Sequence, residues 1–567
     1  MKKTPKYFLT TMVLPIYLST VFYSCGPSQK QIMEKELTDF IKDHESKFIP
    51  LSKVTNLASF DASISGKEED FQKLAELEIE LSKIFTSKKD FARIKKIKES
   101  NAVTDELLKR QLHVLYNAYL AKQIDEKKLE DIINLQTLIE VKYSNFRAEV
   151  DSNTLTDNQI EEILKSSEDS DELKETWLAS KKIGNEVNAD IIKLVIMRNE
   201  IAKETGFDNF HEMKLKLGEQ DPQKIEDLFD ELDELTKDAF IQLKDEVDDY
   251  LSKKCSINKE DLMPWHYQNR YFQEAPEINS VELDKYYRDK DVVKLTETYY
   301  KGLGLPIDDI LAKSDLYEKE GKNQHAYCTD IDREGDIRVL CNVKPNEKWM
   351  STMLHEFGHA VYDKNIDRNL PYILRGPAHT FTTEAIAMMF GRFASNPQWL
   401  KDAAIISDEE KDKIAGESYK KLKLAQLVFS RWAQVMYRFE KSMYENPGQD
   451  LNKLWWDLVE KYQMIKQPVD RDEPDWASKI HIALYPCYYH NYLLGELLAS
   501  QLYYYINENG ITPSDHKDQG FNDENEVGVY LKEKIFAPGD RYFWNDMIER
   551  ATGEKLTPKY FARQFVD

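Results

Sequence analysis

From residue 29 to about 250 the sequence holds few residues that can end a helix. Apolar residues recur at three- and four-residue intervals over 29–43 and 71–85, and longer periodic segments cover 105–121, 126–148, 157–165 and 171–204. Leu129, Ile132, Ile133 and Ile139 make one such stripe, while Lys, Glu and Asp fill the solvated side. Gly206 reads as the stop of one helix before a new start at Asp208. Further helical segments are predicted at 408–444 and 451–462, and no internal repeat is visible. A chain of 567 residues can bury a large core or close two lobes around a cleft. The pattern predicts an all-α protein.

The strand signal is short and local. Residues 325–331 and 336–343 carry β-branched content on either side of Asp332-Arg333-Glu334-Gly335, which reads as a hairpin. It stands just before the one stretch that announces chemistry, His355-Glu356-Phe357-Gly358-His359, inside a helical run over 349–362. Histidines four apart project from one helix face, so both imidazoles can reach a single ion. Neutral imidazole suits Zn²⁺, which takes a third protein ligand and keeps a fourth position open. Glu356 lies between the two and can take a proton from water. Gly358 costs helix stability and so points to a close backbone approach. Glu384, 25 residues after His359 and inside a second helical stretch at 381–390, is the candidate third ligand.

A second dense stretch runs over 475–496, with Lys479, His481, Tyr488, Tyr489, His490 and Tyr492. Aromatic clusters are ordinarily core. Tyr489 and Tyr492 lie three apart, however, so they can share a helix face with both hydroxyls aimed at one cavity.

Net charge is −23 and no basic block occurs, which excludes nucleic acid as a partner class. Lys2 and Lys3 precede a mostly apolar run over 8–23 that ends at Ser24-Cys25-Gly26. This looks like a lipoprotein signal peptide over 1–24, with Cys25 as the acylated first residue of the mature chain. The expected address is outside the cytoplasm, lipid-anchored to a bacterial cell envelope. The apolar run is short for a membrane span and is interrupted by Pro15. No C-x-x-C occurs among the five cysteines, so cysteine ligation of a metal is not expected. A two-residue Glu334-Gly335 loop would set Cys328 opposite Cys341 in a non-hydrogen-bonded pair that accepts a disulfide. A four-residue loop over 332–335 would set Cys328 opposite Val339 and forbid it. The bridge is the expectation taken here.

Taken together, these motifs resemble the angiotensin-converting enzyme family of zinc dipeptidyl carboxypeptidases, best over 324–501. The likeness rests on His325-Ala326 with its hairpin, the H-E-x-G-H helix, Leu374-Arg375-Gly376, Glu384-Ala385-Ile386, Trp455-Trp456 with Lys461-Tyr462, and Lys479-x-His481 before the tyrosines. The thimet oligopeptidase and oligoendopeptidase families share the zinc helix, the distant Glu and a His/Tyr-rich C-terminal segment. A lipid-anchored peptide binder without activity is a third reading, against which the intact base Glu356 speaks.

The resemblance implies a two-lobed helical ellipsoid with a deep cleft. It implies one catalytic domain over 25–567, with a helical lid at roughly 30–150, acting as a monomer on oligopeptides. His355, His359 and Glu384 would hold one zinc, with Glu356 as base and then acid. Lys479 would bind the C-terminal carboxylate, with Tyr489 or Tyr488 helping to grip it. His325, with Ala326 on the same strand, and His481 would bind backbone carbonyls, and Tyr492 would donate to the oxyanion. Four departures stand out. The family's chloride-binding Arg falls on Asn491, an acidic residue that supports the zinc ligands falls on Met388, and the first cysteine of its stapled hairpin falls on Gln324. The glutamine that holds the C-terminus has only Tyr267 and Gln268 as candidates.

Overall fold

The computed structural model describes residues 1–2, 27–278, 281–512 and 519–566. Cys25 and the apolar leader over 8–23 lie outside them.

Five helices open the described chain: α1 (Gln29–Ser65), α2 (Glu68–Thr86), α3 (Lys88–Glu99), α4 (Glu106–Leu120) and α5 (Glu126–Asn145). Polar caps start them. Ser28 closes a capping box with Gln31, and Asp105 and Asp125 accept backbone N–H groups of the first turn. Leu37, Phe40 and Ile41 of α1 pack with Ile94, Ile97, Leu112 and Leu115 into a small core of their own. The second half of α1 runs on through Pro50 and docks on the hairpin beside the zinc motif. There Lys53 pairs with Asp332 at 2.9 Å, the Asn56 amide donates to the Ile331 carbonyl at 3.1 Å, and Phe60 packs with Ile331 and Leu340. On the other side Arg110 of α4, buried, pairs with Glu219 and Asp540.

The chain then makes a hairpin that the helical reading of 126–148 ran into, β1 (Ala148–Val150) and β2 (Asn153–Leu155). Asp151 and Ser152 turn it with φ of 47° and 63°, the left-handed pair of a two-residue loop. α6 (Asp157–Ser166), α7 (Ser170–Lys181), α8 (Ile183–Glu204), α9 (Phe210–Leu217) and α10 (Pro222–Lys254) follow. The periodic stretch 171–204 is thus two helices, divided at Lys182. The break lies beside Gly184, whose added Cβ would stand 2.4 Å from the Pro474 carbonyl oxygen.

Short helices α11 (Asp284–Tyr287), α12 (Val292–Gly302) and α13 (Asp308–Leu311) lead to β3 (Tyr327–Asp330) and β4 (Ile337–Leu340). The hairpin forms where expected, but in the other register. Ile331 N–H donates to the Asp336 carbonyl at 2.8 Å, leaving a four-residue loop, and Cys328 stands opposite Val339. The expected Cys328–Cys341 bridge is therefore absent, and both thiols are free. The longer loop wins because its polar groups are used. Asp332 accepts the N–H groups of Glu334 and Asp336, and Asp330 accepts that of Arg333, whose φ is 54°.

The remaining helices are α14 (Glu347–Lys364), α15 (Thr380–Gly391), α16 (Pro397–Asp402), α17 (Asp408–Glu445), α18 (Leu451–Gln463), α19 (Ile480–Leu484), α20 (His490–Glu508), α21 (Asn525–Leu531), α22 (Trp544–Thr552) and α23 (Lys559–Phe565). α15 lies between α14 and α20, and two glycines set the spacing. A Cβ on Gly358 would stand 2.9 Å from the Ala387 Cα, and one on Gly495 would stand 3.2 Å from the Met388 sulfur. The fold is all-α with two small hairpins, and its zinc-motif helix is buried among helices on one side and flanked by β3 on the other.

Candidate active site

α14 and α15 bring the three expected ligands together. The ligand atoms of His355, His359 and Glu384 lie within 4.8 Å of one another. Glu384 Oε2 is 3.7 Å from His355 Nε2 and 3.8 Å from His359 Nε2. Tetrahedral bonds of about 2.1 Å would set such atoms roughly 3.4 Å apart, so small side-chain shifts suffice. Burial holds His355 down to about 4 and His359 to about 3, which leaves both rings neutral with a lone pair to give. His359 Nδ1 meets Thr383 Oγ1 at 2.8 Å, which frees Nε2 for an ion. Thr383 thus supplies support that a carboxylate at Met388 would otherwise give.

Glu356, 8% exposed, points to the same space. Burial and then the Glu384 carboxylate push it up to about 8, against the Cys328 backbone N–H; burial alone pushes Glu384 up to about 7. Two neighbouring buried carboxylates with only neutral imidazoles around them favour a cation between them. The donor set, two imidazoles and one carboxylate with one side open, fits zinc.

The second dense stretch arrives at the same place. Tyr488 and Tyr492 are both close enough to Glu384 for its charge to push their hydroxyls up, after burial. Tyr489 turns the other way. Its ring meets Trp432 at 6.0 Å and His481 at 5.3 Å, and lies 5.7 Å from the Lys479 ammonium. The backbone turns just before Tyr488 and Tyr489 at Cys487, which has φ of 58° and gives its N–H to Glu440 at 2.8 Å. That geometry separates the two tyrosines, with Tyr489 on the Lys479 side.

Lys479, 6% exposed, donates to Gln273 Oε1 at 2.6 Å and sits 4.9 Å from the Tyr271 ring and 5.4 Å from that of Trp432. Burial, then Arg270, hold it down to about 8, with Glu274 and Glu161 opposing. Gln273, which the sequence did not point to, is thus the glutamine beside Lys479. Tyr267 is instead tied to Lys244 and Asp248, and Gln268 accepts the Glu277 N–H. His481 offers a buried Nδ1 that has no partner among the described residues. Ala326 stands half-buried just before β3, whereas His325 is exposed, and its backbone N–H donates to Asn323 at 2.9 Å. Asn491 accepts from Gln220 at 2.7 Å, and Gln220 in turn meets His490 at 2.7 Å, all buried and neutral side chains.

The chain is similar to known proteins over most of its length. The family profile described as angiotensin-converting enzyme matches residues 31–561. An angiotensin-converting enzyme of Haematobia irritans exigua is 23% identical over 448 residues, 72% of this chain and 72% of that protein. One of Theromyzon tessulatum is 22% identical over 513 residues, 84% of this chain and 82% of that protein. The angiotensin-converting enzyme-like protein Ace3 of Mus musculus is 22% identical over 499 residues, 81% of this chain and 66% of that protein. The profile spans nearly the whole described chain, and this chain belongs to the angiotensin-converting enzyme family.

Proposed function

We propose that the protein is a zinc-dependent peptidyl-dipeptidase that releases dipeptides from the C-termini of oligopeptides. Family membership supports a metallopeptidase acting on peptides. The observation that carries the finer reading is Lys479, a buried ammonium with Gln273 and Tyr489 beside it, reached from the zinc ligands through Tyr489 and Tyr492. An ammonium there takes a carboxylate, so a free C-terminus sets where cleavage falls.

Zinc, held by His355, His359 and Glu384, supplies Lewis acidity when bound. Glu356 takes a proton from the attacking water as the C–O bond forms, and gives it to the amine as the C–N bond breaks. The Tyr492 hydroxyl donates to the carbonyl oxygen as it becomes an oxyanion, a role whose loss typically costs ~10²–10³ in rate. His481, and His325 with Ala326 just before β3, are assigned to the substrate backbone. Asn491 stands where a chloride-binding arginine would be; its side chain carries no charge and its amide oxygen accepts from Gln220, which supports activity without chloride. The same rates in chloride and in acetate are expected; activation by chloride would refute this. Acylation at Cys25 and an extracytoplasmic address rest on the leader sequence; no described helix is long and apolar enough to cross a membrane.

The test is one peptide made with a free and with an amidated C-terminus, its products identified by mass. Dipeptide release from the free acid alone, lost in Glu356→Gln, is expected. Equal cleavage of both forms would instead mark an oligoendopeptidase.

A further inference from the structure

Lys181, at the end of α7, has no place in this mechanism, yet it is 3% exposed. Asp475, the acid nearest in effect, is engaged by Arg471 at 2.6 Å, and Arg270, Arg471 and Lys479 all add positive potential. A lysine in such a position is costly to bury, and a methionine would fill the space without that cost.

What Lys181 touches is informative. Its Nζ lies 3.6 Å from the centre of the Tyr271 ring and 3.3 Å from Ser478 Oγ, to which it donates. Tyr271 hydroxyl donates to the Ser478 carbonyl at 2.7 Å, and its ring also lies 4.9 Å from Lys479 Nζ. Ser478 is the residue before Lys479, and its own hydroxyl donates to the Asp475 carbonyl at 2.6 Å. One amine thus contacts both the backbone step and the ring that locate the Lys479 ammonium.

We infer that Lys181 is a positioning residue for the substrate's C-terminal carboxylate, setting the place of Lys479 through Ser478 and Tyr271. The inference rests on the reading of Lys479 as the carboxylate's partner. Replacing Lys181 removes a donor to Ser478 and a contact on the Tyr271 ring at once, so both neighbours of Lys479 lose one of their restraints.

The experiment is a double-mutant cycle on the zinc-loaded enzyme. KM and kcat are measured for a free-acid peptide in Lys181→Met, Lys479→Ala and the double variant, and the amidated peptide is measured in each as a competitive inhibitor. Lys181→Met is expected to raise KM for the free acid about tenfold with kcat held, leave the inhibition constant of the amide unchanged, and add nothing on top of Lys479→Ala. A full additional loss in the Lys479→Ala background, loss of kcat alone, or no effect beside a selective Lys479→Ala would overturn the inference and leave the carboxylate reading intact. A Lys479→Ala variant with unaltered free-acid KM would remove both. If Lys181→Met does not fold, Ser478→Ala removes the shared hydroxyl: a threefold, free-acid-selective rise in KM supports the inference, and an unselective change rejects it.

Discussion

At the residue scale, the carboxylate site proposed at Lys479 depends on the charge of that side chain. Burial brings it down to about 8, so the charged form is lost as pH rises through that value. KM for a free-acid peptide should therefore rise above about pH 8 while kcat changes little. A KM flat to pH 10 would show that no such ammonium is needed. Lys479 was legible in the sequence through the family resemblance, as the first residue of Lys479-x-His481. Its partner Gln273 was not, because the segment before it turns twice through left-handed residues, Gln268 at φ 59° and Phe272 at φ 50°. Neither helical nor strand periodicity survives such a path, so counting from Trp265 stopped short. Thr383 escaped for a related reason: the supporting group for His359 comes from the residue next to Glu384, not from a turn further on.

At the element scale, the β3–β4 hairpin was legible as an element but not in its register. A shift of one residue in the partner strand would reverse which side chains face α14, and a shift of two keeps the faces while changing every pair. The latter separates the two readings here, because Cys328 faces Val339 and not Cys341. Counted from the hydrogen-bonded Ile331–Asp336 pair, Cys328 and Val339 form a non-hydrogen-bonded pair, whose Cβ atoms are closest. In the Val339→Cys variant, mild oxidation should accordingly join Cys328 to the introduced thiol and leave Cys341 free, as non-reducing peptide mapping would read. A Cys328–Cys341 bridge in the unmodified protein would restore the rejected register. The break at Lys182 was hidden because α7 and α8 keep their apolar stripes in phase with one long helix. What separates them is a neighbour far along the chain, Pro474 against Gly184.

At the scale of the whole molecule, we propose that α1 to α4, with a core of their own, form the lid expected over roughly 30–150. Their tie to the body includes the Arg110–Glu219–Asp540 cluster. Arg110→Ala leaves two acids without their cation in a largely buried place, and breaking such a group typically costs about 3–5 kcal/mol. Denaturant unfolding should show a loss of that order; a loss under about 1 kcal/mol would mean the acids are rehydrated at no cost. A zinc ion held by His355, His359 and Glu384 would bind the folded state, so chelation should lower Tm by mass action, and Glu384→Ala should abolish that zinc-dependent shift. A chelator-sensitive Tm that survives Glu384→Ala would remove that residue from the ligand set.

Helix content, the zinc triad and Glu356 followed from the sequence because each is written in short-range spacing: 3.6-residue periodicity, two histidines one turn apart, a second helix with its Glu. The exit pocket, the hairpin register and the helix break at Lys182 did not. Each depends on contacts between segments far apart in the chain, where Gln273 meets Lys479 across 206 positions. Local propensity carries no record of such pairings. They are chosen by which loop satisfies its polar groups and which backbones can approach, and only the packed fold decides that.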